Sequence, residues 1–578
     1  MRRVWILRDQ LDREKCDFLS KKWNVSPLVA QLLNNRGIDG EAVERFLHPS
    51  WEHLHDPFLM KGMEKATHRI LKAISNDEKI LIYGDYDVDG VTATSLLLLF
   101  FQSMRTSAYY YIPQRKTEGY GLNRISVEKA AREGIDLVIT CDCGISSFQE
   151  VEYAQSLGLE VIVTDHHRIK ESLIPSCTVV NPHQPDCSYP FKELAGVGVA
   201  FKLVQALAQK LSSTAVDPSE YLDLVALGTI ADVVSLKDEN RVLVKLGLER
   251  LQQSSNLGLR TLLSLVGLSG KEITEGQVGF ILAPRLNACG RLSLARKAVK
   301  LLLSTSARES FQLAKNLDRE NVDRRKTQEK MCKEAEELLP EEKGPVIVLS
   351  KSGWHAGVIG LVASYIREKY FRPTVIFSLD ADQAKGSARS IPEFSIFNAL
   401  KKCEDLLLSF GGHRMAAGTR MLKKNIPELR KRLNELADEI LSPENLIPSY
   451  FIDAEVNLEE LQNRVFEELK LFPPYGRDNP APLFLIKALS ISPSPTMAER
   501  GILKASLNSK KGEKFEVIGF NCGNELKKID GLRPIDVIFT PRVNEFRGEI
   551  THQLEIKDFR GETNDNNIQK DQKHSGLS

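Results

Sequence analysis

The stretch Gly84-Asp85-Tyr86-Asp87-Val88-Asp89-Gly90 places a carboxylate at every second position, directly after an apolar run at residues 79–83 that is predicted to be a strand. Asp85, Asp87 and Asp89 repel one another unless a positive charge lies between them, and divalent cations commonly supply that charge in proteins. Extended backbone aims alternate side chains the same way, so the three acids are predicted to face one site. Taken alone, the stretch also fits an Asx-rich surface turn.

Two further apolar runs end in similar polar groups. Residues 135–140 lead to Asp142, and residues 160–164 lead to Asp165-His166-His167. The stretches between the runs are long enough for crossover helices, at residues 91–101, 125–133 and 147–157. Alternation of strand and helix predicts a parallel sheet whose strands all end at one edge, and open α/β sheets bind their ligands at that edge.

A fourth acid, Asp232, ends the apolar stretch at residues 225–231 and is interpreted as another strand end. Taken singly, Asp142 or Asp232 is as compatible with a helix cap, and the two histidines with a surface pair. The four acidic or histidine-bearing ends together indicate a metal site. Carboxylate and imidazole ligands, without cysteines at zinc spacing, favour a harder ion such as Mn²⁺ or Mg²⁺.

Composition limits the class of protein. The chain has 578 residues, enough for several domains, and its 78 basic and 77 acidic residues leave a net charge of +1. Any nucleic-acid binding must therefore come from a local positive channel. The longest apolar run, residues 96–101, is too short to cross a bilayer, and the start lacks the apolar segment of a secretory signal. Nine scattered cysteines fit a reducing compartment. We expect a cytoplasmic protein with no membrane association.

The predicted fold class is α/β. A parallel-sheet domain is joined by a long helix to a second α/β lobe, and an OB-type β-barrel follows. The predicted boundaries are a short lead-in at 1–60, the sheet domain at 61–305, the connecting helix at 306–340, the second lobe at 341–445, the barrel at 446–560 and a disordered tail at 561–578.

Asp-His-His at 165–167, together with Gly-Asp-Tyr-Asp-Val-Asp-Gly at 84–90, resembles the DHH phosphoesterase superfamily. Within it, the chain resembles the RecJ family of bacterial single-stranded-DNA exonucleases almost end to end. The resemblance rests on segments such as Pro113 to Leu122, Leu194 to Ala200, Ala226 to Val233, Pro284 to Arg291, Trp354 to Gly360, Gly386 to Ser390 and Phe410 to His413. It implies a DHH domain at 61–305 and a DHHA1-type lobe at 341–445.

The resemblance also implies roles for the acids and histidines. Asp142 would bridge two ions, Asp85 and Asp87 would serve one of them, and Asp89, His166 and Asp232 would serve the other. His167 would donate to a phosphate oxygen or to the leaving group. An alternative role for His167 is to orient Asp85 or Asp165. Asp165 would itself orient the histidines.

Several basic and aromatic residues are candidates for binding a DNA strand. Arg115 and Tyr120 follow an aromatic strand at 109–111, and they suit phosphate contact and base stacking respectively. Arg285, Asn287 and Arg291 have a spacing that fits one face of the cleft, although each is equally compatible with a structural contact. On the long helix, Arg325 and its neighbours Asn321 and Arg324 are further candidates, and a solvated helix face is the alternative.

The second lobe carries a predicted anion site. Gly386-Ser387-Ala388-Arg389-Ser390 combines a permissive glycine, two hydroxyls and one guanidinium, and Gly411-Gly412-His413 adds an imidazole after a glycine turn. We expect Ser387 and Arg389 to hold a terminal 5′ phosphate, with Ser390 and His413 nearby. That contact would make hydrolysis start from the 5′ end.

The predicted function is a two-metal exonuclease that degrades single-stranded DNA 5′ to 3′ to mononucleotides in DNA repair and recombination. We expect a monomer that acts beside a helicase and a single-strand-binding protein. Two alternatives are an oligoribonuclease or small-molecule phosphodiesterase of the same superfamily, and a non-catalytic replication scaffold. The length of the chain argues against the first. The presence of every expected metal acid argues against the second.

Overall fold

The computed structural model describes residues 3–115, 118–169, 173–211, 216–489, 496–498, 502–508, 514–520, 534–546, 549–561 and 568–570. Its first elements are one short strand and three helices: β1 Val4–Leu7, α1 Arg13–Trp23, α2 Pro27–Asn35 and α3 Ala42–Leu47. Short 3₁₀ turns occur between the longer elements, at Trp51–His53, Pro57–Leu59, Pro218–Tyr221, Glu404–Leu406, Lys423–Asn425, Pro443–Leu446 and Leu458–Glu460.

The predicted parallel sheet is confirmed. Its strands are β2 Ile80–Gly84, β3 Ala108–Tyr111, β4 Leu137–Cys141, β5 Glu160–Thr164 and β6 Thr178–Val180. They pair in the order β3-β2-β4-β5-β6, and every pairing is parallel. Gly84 pairs with Cys141, and Cys141 pairs with Thr164. The ends of β2, β4 and β5 therefore lie side by side.

Helices cover both faces of this sheet. They and the helices that complete the domain are α4 Met63–Ser75, α5 Val88–Ser103, α6 Arg124–Arg132, α7 Phe148–Ser156, α8 Gly196–Leu211, α9 Leu222–Ala231, α10 Asp238–Gln252, α11 Leu257–Leu265, α12 Glu275–Gln277, α13 Ala283–Leu292 and α14 Arg296–Leu303. A π-helix, Val278–Leu282, joins α12 to α13. Along β2, Ile80 and Ile82 pack in the cluster that contains α5, whereas Leu81 and Tyr83 pack with residues of α6 and α7. Burial on both faces explains why the strand is apolar throughout.

The long helix α15, Ala307–Glu337, follows and leads into a second sheet. The elements of this lobe are β7 Ile347–Ser352, β8 Thr374–Asp380, β9 Gln383–Arg389, β10 Leu407–His413, β11 Ala416–Leu422, α16 Ile359–Tyr370, α17 Ile396–Lys401 and α18 Ile426–Ile440. The strand order is β10-β11-β9-β8-β7. Only the β7–β8 pairing is parallel among the described strands of this sheet.

The remaining described residues form mainly strands. They are β12 Ser449–Ile452, β13 Ala454–Glu455, α19 Asn463–Leu469, β14 Phe484–Leu489, β15 Thr496–Ala498, β16 Ile502–Asn508, β17 Lys514–Gly519, β18 Ile535–Phe546, β19 Glu549–Gly561 and β20 Ile568–Lys570. Most of them pair in the order β13-β14-β18-β19-β17-β16-β15.

The chain divides into two compact units, and one of them joins distant segments. The first runs from Trp51 to Ile447, and the second combines the residues before Trp51 with those after Ile447. In the second, β1 pairs in parallel with β12, and apolar side chains of α2 share a cluster with Phe466 and Phe472. The segment predicted as a lead-in at 1–60 is thus mostly part of the core around the C-terminal strands.

The tail predicted as disordered, 561–578, differs from expectation at four residues: Gly561 is the last residue of β19, and three more residues form a further strand. Ile568–Lys570 forms β20 and pairs with β1. The rest of that tail, 562–567 and 571–578, lies outside the described residues.

Candidate metal centre and phosphate site

The alternation of acids predicted that the chain stays extended after β2. This prediction is wrong, because helix α5 begins at Val88. Asp87 caps helix α5, because its Oδ1 accepts a hydrogen bond of 3.1 Å from the N–H of Gly90. Asp89 consequently lies in the first turn of that helix, where it is 1% exposed. Asp85 is buried directly beyond the strand. The acids still converge, but through a strand end and a helix start.

Asp142 follows β4 in a left-handed conformation, with a φ of 61°. Asp tolerates this region better than most side chains. The start of α8 lies directly against it, since a Cβ added to Gly196 would lie 2.6 Å from the Cβ of Asp142. Glycine at 196 therefore allows α8 to approach the acid, whose side chain is buried.

Asp165 holds the two histidines that follow it. Its Oδ1 accepts hydrogen bonds from the N–H groups of His166 and His167, and its Oδ2 accepts one from Ile145. Nδ1 of His167 donates to the same carboxylate at 2.8 Å. Burial alone would raise the pKa of Asp165, but the charge and hydrogen bonds of His167 outweigh it and lower the pKa to about 2. The expected orienting role of Asp165 fits these contacts.

His166 presents an unprotonated nitrogen to the acids. Its Nδ1 donates to the carbonyl oxygen of Leu194 at 2.9 Å, which leaves the lone pair on Nε2. That Nε2 lies 3.1 Å from Asp142, 3.7 Å from Asp232 and 3.8 Å from Asp89. Burial, followed by the charge of His167, lowers the pKa of His166 to about 3. A lone pair among carboxylates is the arrangement of a metal ligand.

Asp232 joins this group from an element that the sequence analysis interpreted wrongly. It follows helix α9 as the C-cap residue, not a strand. The stretch 225–231 is apolar because this helix is buried nearly all round, with Leu222 to Thr229 all buried. Val233 then takes a φ of 59°.

The acids and histidines form three overlapping groups, in each of which the candidate ligand atoms lie within 4.8 Å of one another. They are Asp85, Asp87 and Asp142; Asp142, His166 and His167; and Asp89, His166 and Asp232. Oδ1 of Asp85 is buried and has no hydrogen-bond partner among the described residues. This oxygen-rich set with an imidazole fits Mn²⁺ or Mg²⁺.

The raised pKa values of these acids also favour a bound cation. Burial, followed by neighbouring acids, raises the pKa of Asp85 and of Asp142, with Asp87 and Asp89 respectively as the largest contributors. Burial and Asp87 likewise raise the pKa of Asp89 to about 7, against hydrogen bonds from Val197 and Gly196. A bound cation relieves this repulsion and keeps the carboxylates ionised.

Arginines gather beside the acids. The guanidinium of Arg115 lies 4.9 Å from the centre of the Tyr86 ring. Burial, followed by the charges of Arg115, Arg324 and Arg389, lowers the pKa of Arg291 to about 9. Burial and Arg115 also lower the pKa of Arg389. Guanidinium groups that repel one another inside a protein indicate a site for an anion such as phosphate.

Ser387 extends the arginine cluster within the second lobe. Nη1 of Arg389 donates to its Oγ at 3.2 Å. A Cβ on Gly360 of α16 would lie 3.1 Å from both side chains, so glycine leaves room for their close approach to the helix. His413 pairs with Ala416, which pairs with Arg389, and this places the imidazole in the same row of the sheet.

Other predicted DNA-binding residues have structural partners. Ser390 is buried and donates to the carbonyl of Phe394, so its hydroxyl faces its own loop. Nε of Arg285 donates to Asp318 of α15 at 2.8 Å, which matches the structural alternative for this residue. The hydroxyl of Tyr120 donates to the carbonyl of Asp142 and lies 3.1 Å from Nδ1 of His167.

Two further candidates, Asn287 and Arg325, remain predictions. Asn287 has a buried Oδ1 with no hydrogen-bond partner among the described residues. Arg325 is exposed, whereas its neighbour Arg324 is buried, hydrogen-bonded to Asn321, and close enough to affect Arg291. Sequence reasoning missed the carbonyl of Leu194, because a main-chain contact leaves no mark in the residue type.

Three family descriptions match separate parts of the chain. The DHH family, N-terminal domain, matches residues 79–229; the DHHA1 domain matches 343–439; and the RecJ OB domain matches 452–558. The second lobe and the C-terminal strands therefore have the predicted domain types.

A full-length relative settles the family. The single-stranded-DNA-specific exonuclease RecJ of Bacillus subtilis is 42% identical over 554 residues, which cover 95% of this chain and 70% of that protein. The chain belongs to the RecJ family. The RecJ protein of Escherichia coli is 34% identical over 92% of this chain and 95% of its own length.

Solved RecJ structures agree with this fold. RecJ from Thermus thermophilus in complex with Mn²⁺ has a TM-score of 0.83 and 33% identity, and the match covers 97% of this chain and 80% of that one. The same protein in complex with Mg²⁺ has a TM-score of 0.76 and 31% identity, over 96% and 78% of the two chains. This RecJ-family chain has the acids and histidines to hold either ion. Among its described residues, no helix is both long and apolar enough to span a bilayer.

Proposed function

We propose that the chain is a metal-dependent exonuclease that degrades single-stranded DNA from the 5′ end to mononucleotides. The observation that carries the proposal is the closeness of two clusters of opposite charge. Arg115 lies over the ring of Tyr86, which stands between Asp85 and Asp87, and the charge of Asp87 reaches Arg291. A phosphodiester held by the arginines would thus lie beside the metal-binding acids.

The acidic cluster would hold two divalent cations, with Asp142 shared between them. Such ions neutralise phosphate oxygens and make a water molecule a better nucleophile. Asp85 and Asp87 would hold one ion, while Asp89, His166 and Asp232 would hold the other. Two of the groups of neighbouring ligand atoms support this division, namely Asp85, Asp87 and Asp142 in one and Asp89, His166 and Asp232 in the other.

His167 is proposed to donate a proton or hydrogen bond to the scissile phosphate. Burial lowers its pKa, but Asp165 outweighs that effect and raises the pKa to about 9 in the metal-free protein, which favours the protonated imidazole. Nδ1 is held by Asp165, which leaves Nε2–H as the group that can face a substrate. This fits a donor to a non-bridging oxygen or to the leaving group.

The second lobe would set the direction in which the strand is degraded. Arg389 and Ser387 offer a guanidinium and a hydroxyl that suit a terminal phosphate, and Arg115 and Arg291 adjoin them. A terminal phosphate fixed there would make the first linkage the one that is cut, provided that the span to the acids equals one nucleotide. That arrangement accounts for mononucleotide products and for a start at the 5′ end.

Setting and partners are part of the proposal. We infer DNA repair and recombination in a bacterial cytoplasm, with a helicase and a single-strand-binding protein to supply unpaired strands, and a monomeric enzyme. Every described cysteine is free of disulfide bonds, which supports a reducing compartment.

The decisive experiment digests 5′- and 3′-labelled DNA, single-stranded and duplex, in Mn²⁺, Mg²⁺ or EDTA. Wild-type protein should release labelled mononucleotides only from unpaired 5′ ends and only with a metal. Asp142→Asn keeps the side-chain shape and tolerates the left-handed backbone, so it should fold and be inactive. Short RNA as the preferred substrate would favour the oligoribonuclease alternative. Binding without cleavage in any metal would favour a scaffold.

A further inference from the structure

Phe280 is an exposed aromatic residue that has no role in the proposed function. Its side chain is 80% exposed, more than any other large apolar side chain in the described part of the protein. The next is Ile125 at 68%. Phe280 sits at the centre of the π-helix Val278–Leu282, whose first and last residues are fully buried. The short helix therefore anchors itself on both sides and turns the phenyl ring outward.

The π-helix is held firmly in place. A capping box between Thr274 and Gln277 closes its N-terminal side. On the other side, Nη1 of Arg285 donates to the carbonyl of Ile281 at 2.6 Å, while its Nε is bound by Asp318. Phe280 is thus presented by a braced turn and not by a frayed end. π-Helices are rare and occur mostly at functional sites.

The position of Phe280 relates it to the acidic cluster. Its neighbour Gly279 packs on α9, where an added Cβ would lie 3.8 Å from Cγ2 of Ile230. Ile230 is two residues before Asp232, and Val233 on the other side of that acid is 64% exposed. Single exposed apolar residues are common on proteins. Here, however, the most exposed one follows a residue that packs on the end of α9, the helix that Asp232 caps.

We propose that Phe280 stacks against an unpaired base of the DNA strand bound at this site. The inference rests on the proposed function and adds to it a contact for the bases. The arginine and acid clusters suit the backbone, and Tyr120 beside them is the other aromatic candidate for contact with a base. An aromatic ring stacks on any base, which suits an enzyme without sequence preference. Since a paired base inside a duplex has no free face, the contact also favours single strands.

The experiment measures kcat/KM on 5′-phosphorylated single strands that carry one abasic site at successive positions from the 5′ end. The proteins compared are wild type, Phe280→Ala and Phe280→Trp. Phe311→Ala serves as the matched control, because Phe311 is a half-exposed phenylalanine on α15. Thermal unfolding of each variant is recorded to separate loss of fold from loss of contact.

On intact DNA, Phe280→Ala should lower kcat/KM by about 5- to 150-fold, the range expected for one lost base–aromatic stack. Phe280→Trp should retain the wild-type rate, and Phe311→Ala should change nothing. At one position, an abasic site should slow the wild-type enzyme by a similar factor yet leave Phe280→Ala unaffected. That non-additivity identifies the stacked base.

Three outcomes would overturn the inference. One is an unchanged rate for Phe280→Ala on intact DNA. Another is a loss of rate that stays the same at every abasic position. The third is a loss that follows a lowered unfolding temperature. If wild-type protein does not cleave single-stranded DNA at all, the proposed function itself fails, and the stacking contact fails with it.

Discussion

Oδ1 of Asp142 and Nε2 of His166 lie 3.1 Å apart. Because Nδ1 of His166 already donates to Leu194, the imidazole has no proton to place between these two atoms. Burial, followed by the charges of other acids, raises the pKa of Asp142. The raised pKa favours a proton shared between the two groups when no cation is bound, and a cation would displace that proton.

We predict that Mn²⁺ binding at pH 7 releases protons and that Mn²⁺ affinity increases with pH, because ligands must be deprotonated to bind. Calorimetric titration in two buffers of different ionisation enthalpy measures the number released. Asp142→Asn should release fewer protons and bind Mn²⁺ more weakly. Equal binding enthalpies in both buffers would show that the acids are already ionised.

His167 should make stability depend on pH in the metal-free protein. Burial lowers the pKa of His167, but Asp165 raises it by more. The resulting pKa is about 9, above the ordinary value of 6.5. Its contribution to the free energy of unfolding is therefore fully present below pH 6.5 and is lost as pH rises toward 9. The stability advantage of wild type over His167→Gln, both in EDTA, should shrink across this window. An advantage that stays constant from pH 6 to 9 would contradict the shift.

Asp89 combines a ligand role with a structural one. Its two carboxylate oxygens accept hydrogen bonds from the N–H groups of Gly196 and Val197 at the start of α8, at 2.6 and 2.8 Å. We expect both Asp89→Asn and Asp89→Ala to abolish cleavage. Asp89→Ala, which leaves two buried N–H groups unpaired, should in addition be less stable than Asp89→Asn by about 1–3 kcal/mol. Denaturant unfolding in EDTA measures the difference, and equal stabilities would argue against the structural role.

Arg389 should distinguish substrates by their 5′ ends. Wild-type kcat/KM should be higher on 5′-phosphorylated strands than on 5′-hydroxyl strands. Arg389→Ala should lose about 10-fold or more on the former and little on the latter, because a charge-assisted hydrogen bond to the terminal phosphate is removed. Arg325→Ala serves as the comparison, since an exposed arginine that contacts the strand elsewhere should slow both substrates equally. Retention of the full phosphate preference by Arg389→Ala would place the terminal phosphate elsewhere.

Val233 should carry measurable backbone strain. A β-branched residue at a φ of 59° is unusual, and the left-handed conformation costs about 1–2 kcal/mol in a residue other than glycine. We expect Val233→Gly to raise the free energy of unfolding by about 0.5–1 kcal/mol, after the entropy cost of glycine in the unfolded chain is subtracted. Val233→Ala keeps the strained φ and should gain less. A gain for alanine as large as for glycine would show that the effect comes from the side chain.

The sequence predicted the ends of β2, β4 and β5 well, because a buried strand between charged ends is a local pattern. It failed where a partner far along the chain decides the outcome. Asp232 follows a helix, since a helix buried all round is as apolar as a strand. Arg285 was equally compatible with DNA binding and with a structural contact, and Asp318, over thirty residues later, supplies such a contact. Residue type alone does not distinguish these cases.

The sequence also did not predict which part of the chain the first helices pack against. A short, mixed segment looked like a lead-in, yet the apolar side of α2 is buried against residues more than 400 positions away. No local periodicity encodes such a partner. By contrast, Ser387 and Arg389 were predictable as neighbours, because alternate residues of one strand share a face.

The pairing of β1 with β12 has a consequence for synthesis on the ribosome. The first fifty residues emerge long before their partners after Ile447 exist. At about 5–20 residues per second, the wait for the intervening 400 or so residues is about 20–80 s. During that time Val29, Leu32 and Leu33 have no native core to enter. The nascent chain must therefore carry this exposed apolar segment until the residues after Ile447 are made, and the segment is a target for a chaperone that binds apolar stretches.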